Sequence, residues 1–264
     1  MDLISEIDIY AGLSSPIHRW DPRLKVISIL ALIFSIMLLY DLKLVIISML
    51  FAIILVYISR IPFSFVVGRL KWVFLFLMPF LIILPFTIIG EGVEIARIGS
   101  ITLNFRGIES VEFAVMIVIK ALTAVMLIFP MIGTSRMDIT IKALEDLHLP
   151  NKLVQMLAFT YRYIFVLSNE FMLMERSLTS RGFKRGSNLY TITTLSKAIA
   201  TLFVMSYEQA ERVFYAMRSK GYAGKVTTMH EFSLRPQDWL NAVVVCGFAI
   251  FVQVAVWYGT LEGA

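Results

Sequence analysis

Five apolar runs, most of them long enough to cross a lipid bilayer, constrain the fold of this chain more than any other feature. They cover residues 24–40, 44–59, 73–89, 111–132 and 239–258. A spanning helix needs about 20 mostly apolar residues, or about 17 at the least. The run 44–59 is marginal alone, but Asp41 and Lys43 leave room only for a tight hairpin with the first run. We therefore predict an all-α, polytopic membrane helix bundle with about five spans.

The composition argues against several classes of protein. Of the 264 residues, 58% are hydrophobic and 16% charged, and the mean hydropathy is +0.79. Soluble domains average about 45–50% apolar and about 25% charged residues. A soluble monomer of this size cannot bury the excess, which disfavours a soluble enzyme, a disordered protein or a nucleic-acid module. The net charge of +5 comes from basic residues in particular loops, so we expect a lipid bilayer and no nucleic acid as partner.

The charges of two loops orient the bundle. The loop after the second run carries Arg60, Arg69 and Lys71 and no acid. The loop after the third run is acidic, and its charged residues are Glu91, Glu94, Arg97, Arg106, Glu109 and Glu112. Because basic loops stay on the cytoplasmic side, we expect the N-terminus inside and the acidic loop outside.

The segment 133–238 differs from the rest of the chain, since it holds 14 of the 24 Lys and Arg residues. We therefore divide the chain into an N-terminal membrane bundle of four spans (1–132), a cytoplasmic coupling-helix region (133–238) and a C-terminal span (239–264). A short helix over 135–148 is expected to begin the middle segment and to end before Pro150.

Two long amphipathic helices are predicted in the middle segment from apolar residues in steps of three and four. The first apolar stripe is Leu153, Leu157, Tyr161, Ile164, Leu167, Phe171, Met174 and Leu178. The second is Leu195, Ile199, Leu202, Ser206, Ala210, Val213 and Met217. A helix over 151–181 would be more than about 40 Å long, which exceeds a bilayer core of about 30 Å. In a rival interpretation, 154–167 forms a short span that contains Arg162.

The sequence lacks the usual catalytic and metal-binding patterns. We find no His/Cys cluster with zinc spacing, no G-x-S-x-G elbow and no complete phosphate-binding loop. We therefore expect no catalytic residue, no metal site and no cofactor in this chain.

A four-residue pattern closes both long helices. The first helix ends with Ser180, Arg181, Gly182 and Phe183, and the second with Ser219, Lys220, Gly221 and Tyr222. Each copy alone is typical of a helix cap, because glycine adopts the left-handed conformation and a cation complements the helix dipole. Two copies on two long helices also fit insertion of two cations into acidic grooves of a partner.

Lys120 is a candidate intramembrane polar site, because it lies within the fourth apolar run. Ionisable residues inside spans are usually functional. The alternative is that its ammonium group binds a carbonyl or an acid of a neighbouring helix.

Taken together, these features resemble the transmembrane (T) component of energy-coupling factor transporters, especially its cobalt-type CbiQ branch. The likeness covers nearly the whole chain. It is carried by the two helix endings and by Asp21-Pro22-Arg23-Leu24-Lys25, Tyr161-Arg162-Tyr163-Ile164-Phe165 with Glu170, and Glu208-Gln209-Ala210-Glu211-Arg212-Val213 with Ala216-Met217. The family pattern often has Ala where this chain has Ser180 and Ser219, and Arg where it has Lys220.

The resemblance implies a multi-pass subunit of a prokaryotic plasma membrane that passes ATPase motion to a separate substrate-capture (S) subunit. ATP would bind two partner ATP-binding-cassette subunits, whose grooves would receive Arg181 and Lys220. Ser180, Gly182, Ser219 and Gly221 would allow close backbone approach. The cargo implied is cobalt. Nickel and a vitamin are the alternative cargoes. The alternative function is a self-contained channel or secondary transporter.

Overall fold

The computed structural model describes residues 15–87, 93–98, 101–105, 108–147, 149–222, 224 and 235–262. Within these residues the chain forms eight helices and one two-stranded sheet. In chain order they are α1 (Pro22–Met37), α2 (Leu42–Ile58), α3 (Phe63–Thr87), β1 (Val93–Ile98), β2 (Ile101–Phe105), α4 (Ile108–Ile132), α5 (Met137–Asp146), α6 (Asn151–Ser180), α7 (Leu189–Ser219) and α8 (Pro236–Glu262). The predicted helical membrane bundle is confirmed as the fold class.

The chain divides into two compact units. Of the described residues, 15–136 and 235–262 belong to the first, called here the bundle unit, and 137–224 to the second, called the long-helix unit. The predicted division into membrane segments 1–132 and 239–264 and a cytoplasmic segment 133–238 stays a prediction, because compactness does not locate a bilayer.

Aspartates begin the first two helices of the bundle unit. The Asp21 carboxylate accepts the N–H of Arg23 at 2.9 Å, and the Asp41 carboxylate accepts the N–H of Lys43 at 2.9 Å. Such N-caps satisfy backbone donors that have no partner within the helix. The 16 and 17 residues of α1 and α2 give lengths of about 24 and 26 Å, and the chain turns between them within a few residues.

The core of the bundle unit lies where α1 and α2 meet α4 and α8. Its apolar side chains are almost fully buried, and the largest set includes Ile29, Leu32, Ile36, Val45, Val56, Leu127, Val245 and Val252. The rings of Phe51 and Phe248 stack with centroids 3.9 Å apart. By contrast, most apolar side chains of α3 are exposed, including Trp72 and Phe76. Exposed apolar side chains on this scale fit a surface that faces lipid.

Four described helices contain segments long and apolar enough to cross a membrane. They are Phe63–Pro85, Ser110–Ile132, Leu189–Ser219 and Pro236–Tyr258, and Leu42–Ile58 is a shorter apolar helix. Three overlap predicted runs, although residues 88–89 of the third run lie outside the described residues. The helix that corresponds to the third run begins at Phe63, so Arg69 and Lys71, predicted in the preceding loop, lie within α3. The helix Leu189–Ser219 is α7, which we predicted as an amphipathic helix outside the bilayer. Length and composition alone therefore do not separate it from a span.

The strands are a feature that the sequence analysis did not predict. β1 and β2 pair antiparallel, with Ile98 opposite Ile101 and an irregularity between Glu94 and Ala96. They lie in the acidic loop that we used to orient the bundle. Glu91 and Arg106, two of its charged residues, lie outside the described residues.

In the long-helix unit, α6 packs against both α5 and α7. α6 covers Asn151–Ser180, as the apolar stripe predicts, and α5 is shorter than the predicted 135–148. Residue 148 lies outside the described residues. The rival short span, 154–167, is part of one continuous helix of 30 residues, and α6 is not among the described helices that meet the length and hydropathy criterion for a span.

Candidate functional site

The end of α6 forms a two-hydrogen-bond helix cap. The N–H of Phe183 donates to the carbonyl of Leu178 at 3.1 Å, and the N–H of Gly182 donates to the carbonyl of Thr179 at 3.0 Å. Gly182 has φ +87°, in the left-handed region. This pair of bonds with a left-handed glycine is the Schellman motif. The motif places Arg181 at the last, half-helical position of the helix.

The end of α7 repeats the same geometry. The N–H of Tyr222 donates to the carbonyl of Met217 at 3.1 Å, and the N–H of Gly221 donates to the carbonyl of Arg218 at 3.0 Å. Gly221 has φ +82°. Lys220 therefore occupies the position that Arg181 occupies on α6. The structure brings the predicted residues into two equivalent caps, called here the first helix end (180–183) and the second helix end (219–222).

The surfaces of the two ends are open. Ser180, Arg181, Gly182, Ser219, Lys220 and Gly221 are all exposed. The hydroxyls of Ser180 and Ser219 each donate at 3.0 Å to the carbonyl four residues earlier, so they add little polar surface. A Cβ atom at Gly182 or Gly221 would meet nothing within 4 Å. The glycines are therefore required for their backbone conformation, and they leave each helix end bare beside its cation.

The two ends are anchored in different ways. Phe183 is buried and its ring lies 6.2 Å from that of Tyr190. The Tyr222 hydroxyl instead donates to the side-chain oxygen of Gln155 on α6, and the Gln155 amide donates to the carbonyl of Gly224 at 3.2 Å. An apolar anchor holds the first end, and a hydrogen-bonded anchor holds the second.

The anchor at Tyr222 also shows that the two ends are far apart. Because Tyr222 bonds Gln155, the end of α7 lies beside the beginning of α6. Arg181 follows the last residue of α6, which lies 25 residues beyond Gln155. At about 1.5 Å of rise per residue, the two cations are separated by roughly 35 Å. They cannot enter a single groove of ordinary size.

An apolar cavity of about 430 Å³ lies between α6 and α7. It is lined by Phe159, Thr160, Tyr163, Ile164, Leu167, Ser206, Gln209, Ala210, Val213 and Met217. The stripe predicted for α7 supplies most of its half of the lining. On α6 the predicted stripe is only partly correct, because Phe159 and Tyr163 line the cavity whereas Leu153 and Leu157 are exposed. α6 also packs against α5, and a helix with two neighbours does not have a single apolar stripe.

Lys120 lies on α4 and binds the carboxyl end of α1. Its ammonium group donates to the carbonyl of Met37 at 3.2 Å and to that of Leu39, and it lies 5.5 Å from the centre of the Tyr40 ring. Carbonyls at a helix end lack partners within the helix and carry partial negative charge. This contact is the alternative that the sequence analysis left open. A transport role for Lys120 stays a prediction.

Among the described residues, no group of three or more His, Cys, Asp or Glu side chains could hold a metal ion. The predicted absence of a metal site in the whole chain is not tested by that finding.

The fold and these helix ends define a class: a helical membrane protein with two long helices that end in exposed cations. The model of the CbiQ family, described as cobalt transport protein, matches residues 13–231. This chain therefore belongs to the CbiQ cobalt transport family, which confirms the resemblance found in the sequence.

Three relatives show how similar this chain is to named proteins of the same kind. The energy-coupling factor transporter transmembrane protein EcfT of Heliobacterium modesticaldum is 24% identical over 94% of this chain and 95% of its own length. EcfT of Bacillus subtilis is 28% identical over 81% of this chain and 83% of its own length. A putative fused cobalt transport protein, CbiMQ, of Methanocorpusculum labreanum is 22% identical over 64% of this chain and 27% of its own length.

Proposed function

We propose that this chain is the membrane-embedded coupling subunit of an ATP-driven energy-coupling factor importer. The observation that carries the proposal is the pair of equivalent helix ends, each with one exposed cation, on two helices that belong to one compact unit. Family membership and the EcfT relatives support the same role. In this proposal the chain performs no catalysis and holds no cofactor, and ATP binds the partner subunits.

Each helix end receives one ATP-binding-cassette subunit. A separation of roughly 35 Å favours two binding events over one. Arg181 and Lys220 enter acidic grooves, where a desolvated charge pair fixes orientation as well as affinity. Gly182 and Gly221, with Ser180 and Ser219, let the groove approach the backbone. Lys220 makes a point-charge contact, whereas the planar guanidinium of Arg181 can form two parallel hydrogen bonds.

The apolar faces of α6 and α7 receive the substrate-capture subunit. Large side chains on both helices stay exposed, including Ile164, Leu173, Ile199 and Phe203. Large apolar surfaces of this kind mark sites of protein or membrane contact. When the ATPases close on ATP, the two helix ends move with them, and the contact at these faces passes the motion to the capture subunit.

The cargo proposed is cobalt ion, on the strength of the family description and the CbiMQ relative. Nickel and a vitamin are the alternative cargoes. Because the capture subunit would hold the cargo, uptake by the assembled importer is the measurement that separates them.

Charge reversal at both helix ends tests the docking role. The double variant Arg181→Glu/Lys220→Glu is co-expressed with the two ATPase subunits, and the complex is captured on a tag on this chain. Truncating one member of a buried charge pair costs about 2–5 kcal/mol, so we expect ATPase recovery to fall about 100-fold or more. The matched control is Arg162→Glu/Lys197→Glu, since both residues are exposed cations on the same helices, away from the ends.

The docking role is wrong if the double variant recovers as much ATPase as the unchanged chain, or if the control loses as much as the double variant. Normal yield and the same melting temperature in detergent would show that the double variant still folds. Single variants then tell whether each end holds its own ATPase, because each should lose one subunit rather than both.

Thiol labelling in whole cells tests the orientation. In a Cys246→Ser background, Lys184→Cys follows the first helix end, and Ser100→Cys lies in the acidic loop. We expect an impermeant maleimide to label position 100 in intact cells and position 184 only after lysis, because basic loops stay inside. The reverse pattern would invert the topology and place the helix ends out of reach of cytoplasmic ATPases.

A further inference from the structure

A cavity in the bundle unit is lined by three arginines. It has a volume of about 560 Å³, within the ~300–1,000 Å³ range of ligand pockets. Its arginines are Arg19, Arg60 and Arg235, and its other lining residues are Ser15, Pro16, Gln237, Asp238, Leu240 and Asn241. We call it the arginine cavity. It lies where α1 and α8 begin and α2 ends, so three helix ends position its charges.

The acid in the lining is already bonded to backbone groups. One carboxylate oxygen of Asp238 accepts the N–H of Asp21 at 3.2 Å, and the other accepts the N–H of Arg235 at 2.9 Å. Asp238 is 4% exposed. It therefore ties the first turn of α8 to the start of α1. Among the described residues, neither Arg19 nor Arg235 has a side-chain ion pair, and both residues are exposed.

Arg60 occupies a backbone conformation that favours glycine. Its φ is +56°, and it is the only non-glycine residue with positive φ in the described part of the chain. It follows α2 as the left-handed residue, with its N–H donating to the carbonyl of Tyr57 at 3.1 Å. Left-handed conformations cost L-residues other than Gly, Asn and Asp roughly 1–2 kcal/mol. Glycine would form this turn without strain, whereas arginine strains the turn and places a cation at the cavity.

We propose that the arginine cavity binds a phosphate group, presented by an acidic phospholipid or as free phosphate. Guanidinium groups form parallel hydrogen bonds with phosphate oxygens, and basic pockets between membrane helices bind lipid headgroups. Leu240 favours the lipid as the source: it lines the cavity, is 66% exposed and follows Trp239, which is 55% exposed. An exposed leucine at the cavity, next to an exposed tryptophan, suits an acyl chain above a bound headgroup.

Melting of the full-length chain in lipid nanodiscs and in neutral detergent tests this assignment. Nanodiscs of phosphatidylcholine are compared with nanodiscs that also contain phosphatidylglycerol, and the detergent sample is titrated with inorganic phosphate. The test variant is Arg60→Gln/Arg235→Gln. The matched control, Arg69→Gln/Lys71→Gln, removes two cations from α3 that do not line the cavity.

We expect phosphatidylglycerol to raise the melting temperature of the unchanged chain and of the control. In the test variant the apparent affinity for phosphatidylglycerol should fall about fivefold for each arginine removed. If inorganic phosphate, and not phosphatidylglycerol, stabilises the unchanged chain and the control and stabilises the test variant less, the cavity is supported with free phosphate as its ligand. Equal losses in the test variant and the control, or no stabilisation by either probe, would overturn the proposal.

Two further variants keep the outcome clear if the glutamine variant folds poorly. Arg60→Lys/Arg235→Lys retains both charges and should retain most of the stabilisation by anion. Arg60→Gly removes the cation and accepts the left-handed backbone without strain, so it should fold normally and still lose affinity about fivefold. Unchanged affinity in Arg60→Gly would remove Arg60 from the site.

Discussion

One lysine of the bundle unit and the two cations at the helix ends of the long-helix unit lie in opposite environments. In the bundle unit Lys25 is completely buried, and its ammonium group binds the hydroxyls of Thr134 at 2.9 Å and of Ser135. In the long-helix unit Arg181 and Lys220 are exposed, and apolar side chains of the same helices are exposed with them. Buried polar groups that are fully bonded specify one packing of a unit. Exposed cations beside apolar faces need partners.

This difference shows that the bundle unit is held together by contacts between its own helices, whereas the long-helix unit leaves surface for contacts with partners. The bundle unit pairs several of its own polar groups between helices: Gln253 donates to the carbonyl of Ser35 at 2.8 Å, and the Ser35 hydroxyl donates to the carbonyl of Ala249 at 3.0 Å. Many of its exposed side chains are large and apolar, which suits contact with lipid. Most of the side-chain hydrogen bonds described in the long-helix unit join residues three or four apart on one helix. Its surface is therefore available for other subunits, as the proposed coupling role requires.

The largest effect on the free energy of unfolding is expected when the buried ammonium group of Lys25 is removed. Lys25→Met leaves the Thr134 and Ser135 hydroxyls without their buried hydrogen-bond partner, and we expect a loss of about 3 kcal/mol in the free energy of unfolding. Lys43→Met is the control, since Lys43 is exposed, and a change within about 0.5 kcal/mol is expected. Unfolding in mixed micelles measures both. Equal effects would mean that burial of Lys25 does not stabilise the bundle unit.

A smaller effect is expected at the glycines of the two helix ends. Gly182→Ala and Gly221→Ala force an L-residue into the left-handed region, at a cost of roughly 1–2 kcal/mol each. The added methyl groups meet no atom within 4 Å, so strain alone should set the cost. Hydrogen exchange at the amides of residues 182–183 and 221–222 measures local opening. A large difference between the ends would contradict their equivalence.

The smallest effect concerns the different anchors of the ends. Tyr222→Phe removes the hydroxyl that binds Gln155, and we expect a loss of about 1 kcal/mol, confined to the second helix end. Faster exchange at residues 221–222 with unchanged exchange at 182–183 would show this. Tyr190→Phe is the control, because a ring contact with Phe183 does not depend on the Tyr190 hydroxyl. If both ends opened together, the ends would not be anchored independently.

Much of this architecture could be predicted because it depends on local sequence. Apolar runs gave the helices of the bundle, and the spacing of Gly182 and Gly221 after long stripes gave both helix ends. These signals act within one helix and its cap.

The rest depends on contacts between distant residues. The bond of Tyr222 to Gln155 joins positions 67 residues apart, and the contact of Lys120 with α1 joins positions more than 80 apart. The arginine cavity also combines residues from three separate parts of the chain. A weak signal for it was present, since Arg60 lay in a basic loop, but nothing local to the sequence indicated the left-handed backbone or the proximity of Arg19 and Arg235. The strands of the acidic loop were missed for a related reason, because a short hairpin has no long periodic pattern.

Solute flux in liposomes tests the central claim most directly, namely that this chain couples ATPase motion to transport and does not transport alone. The purified chain is reconstituted by itself in one sample and together with its ATPase and capture subunits in another. Uptake of radioactive cobalt ion is then measured with and without ATP enclosed in the liposomes. We predict no uptake by the chain alone and ATP-dependent uptake by the assembled importer, lost in Arg181→Glu/Lys220→Glu. Uptake by the chain alone would contradict the coupling role and favour a self-contained channel or transporter.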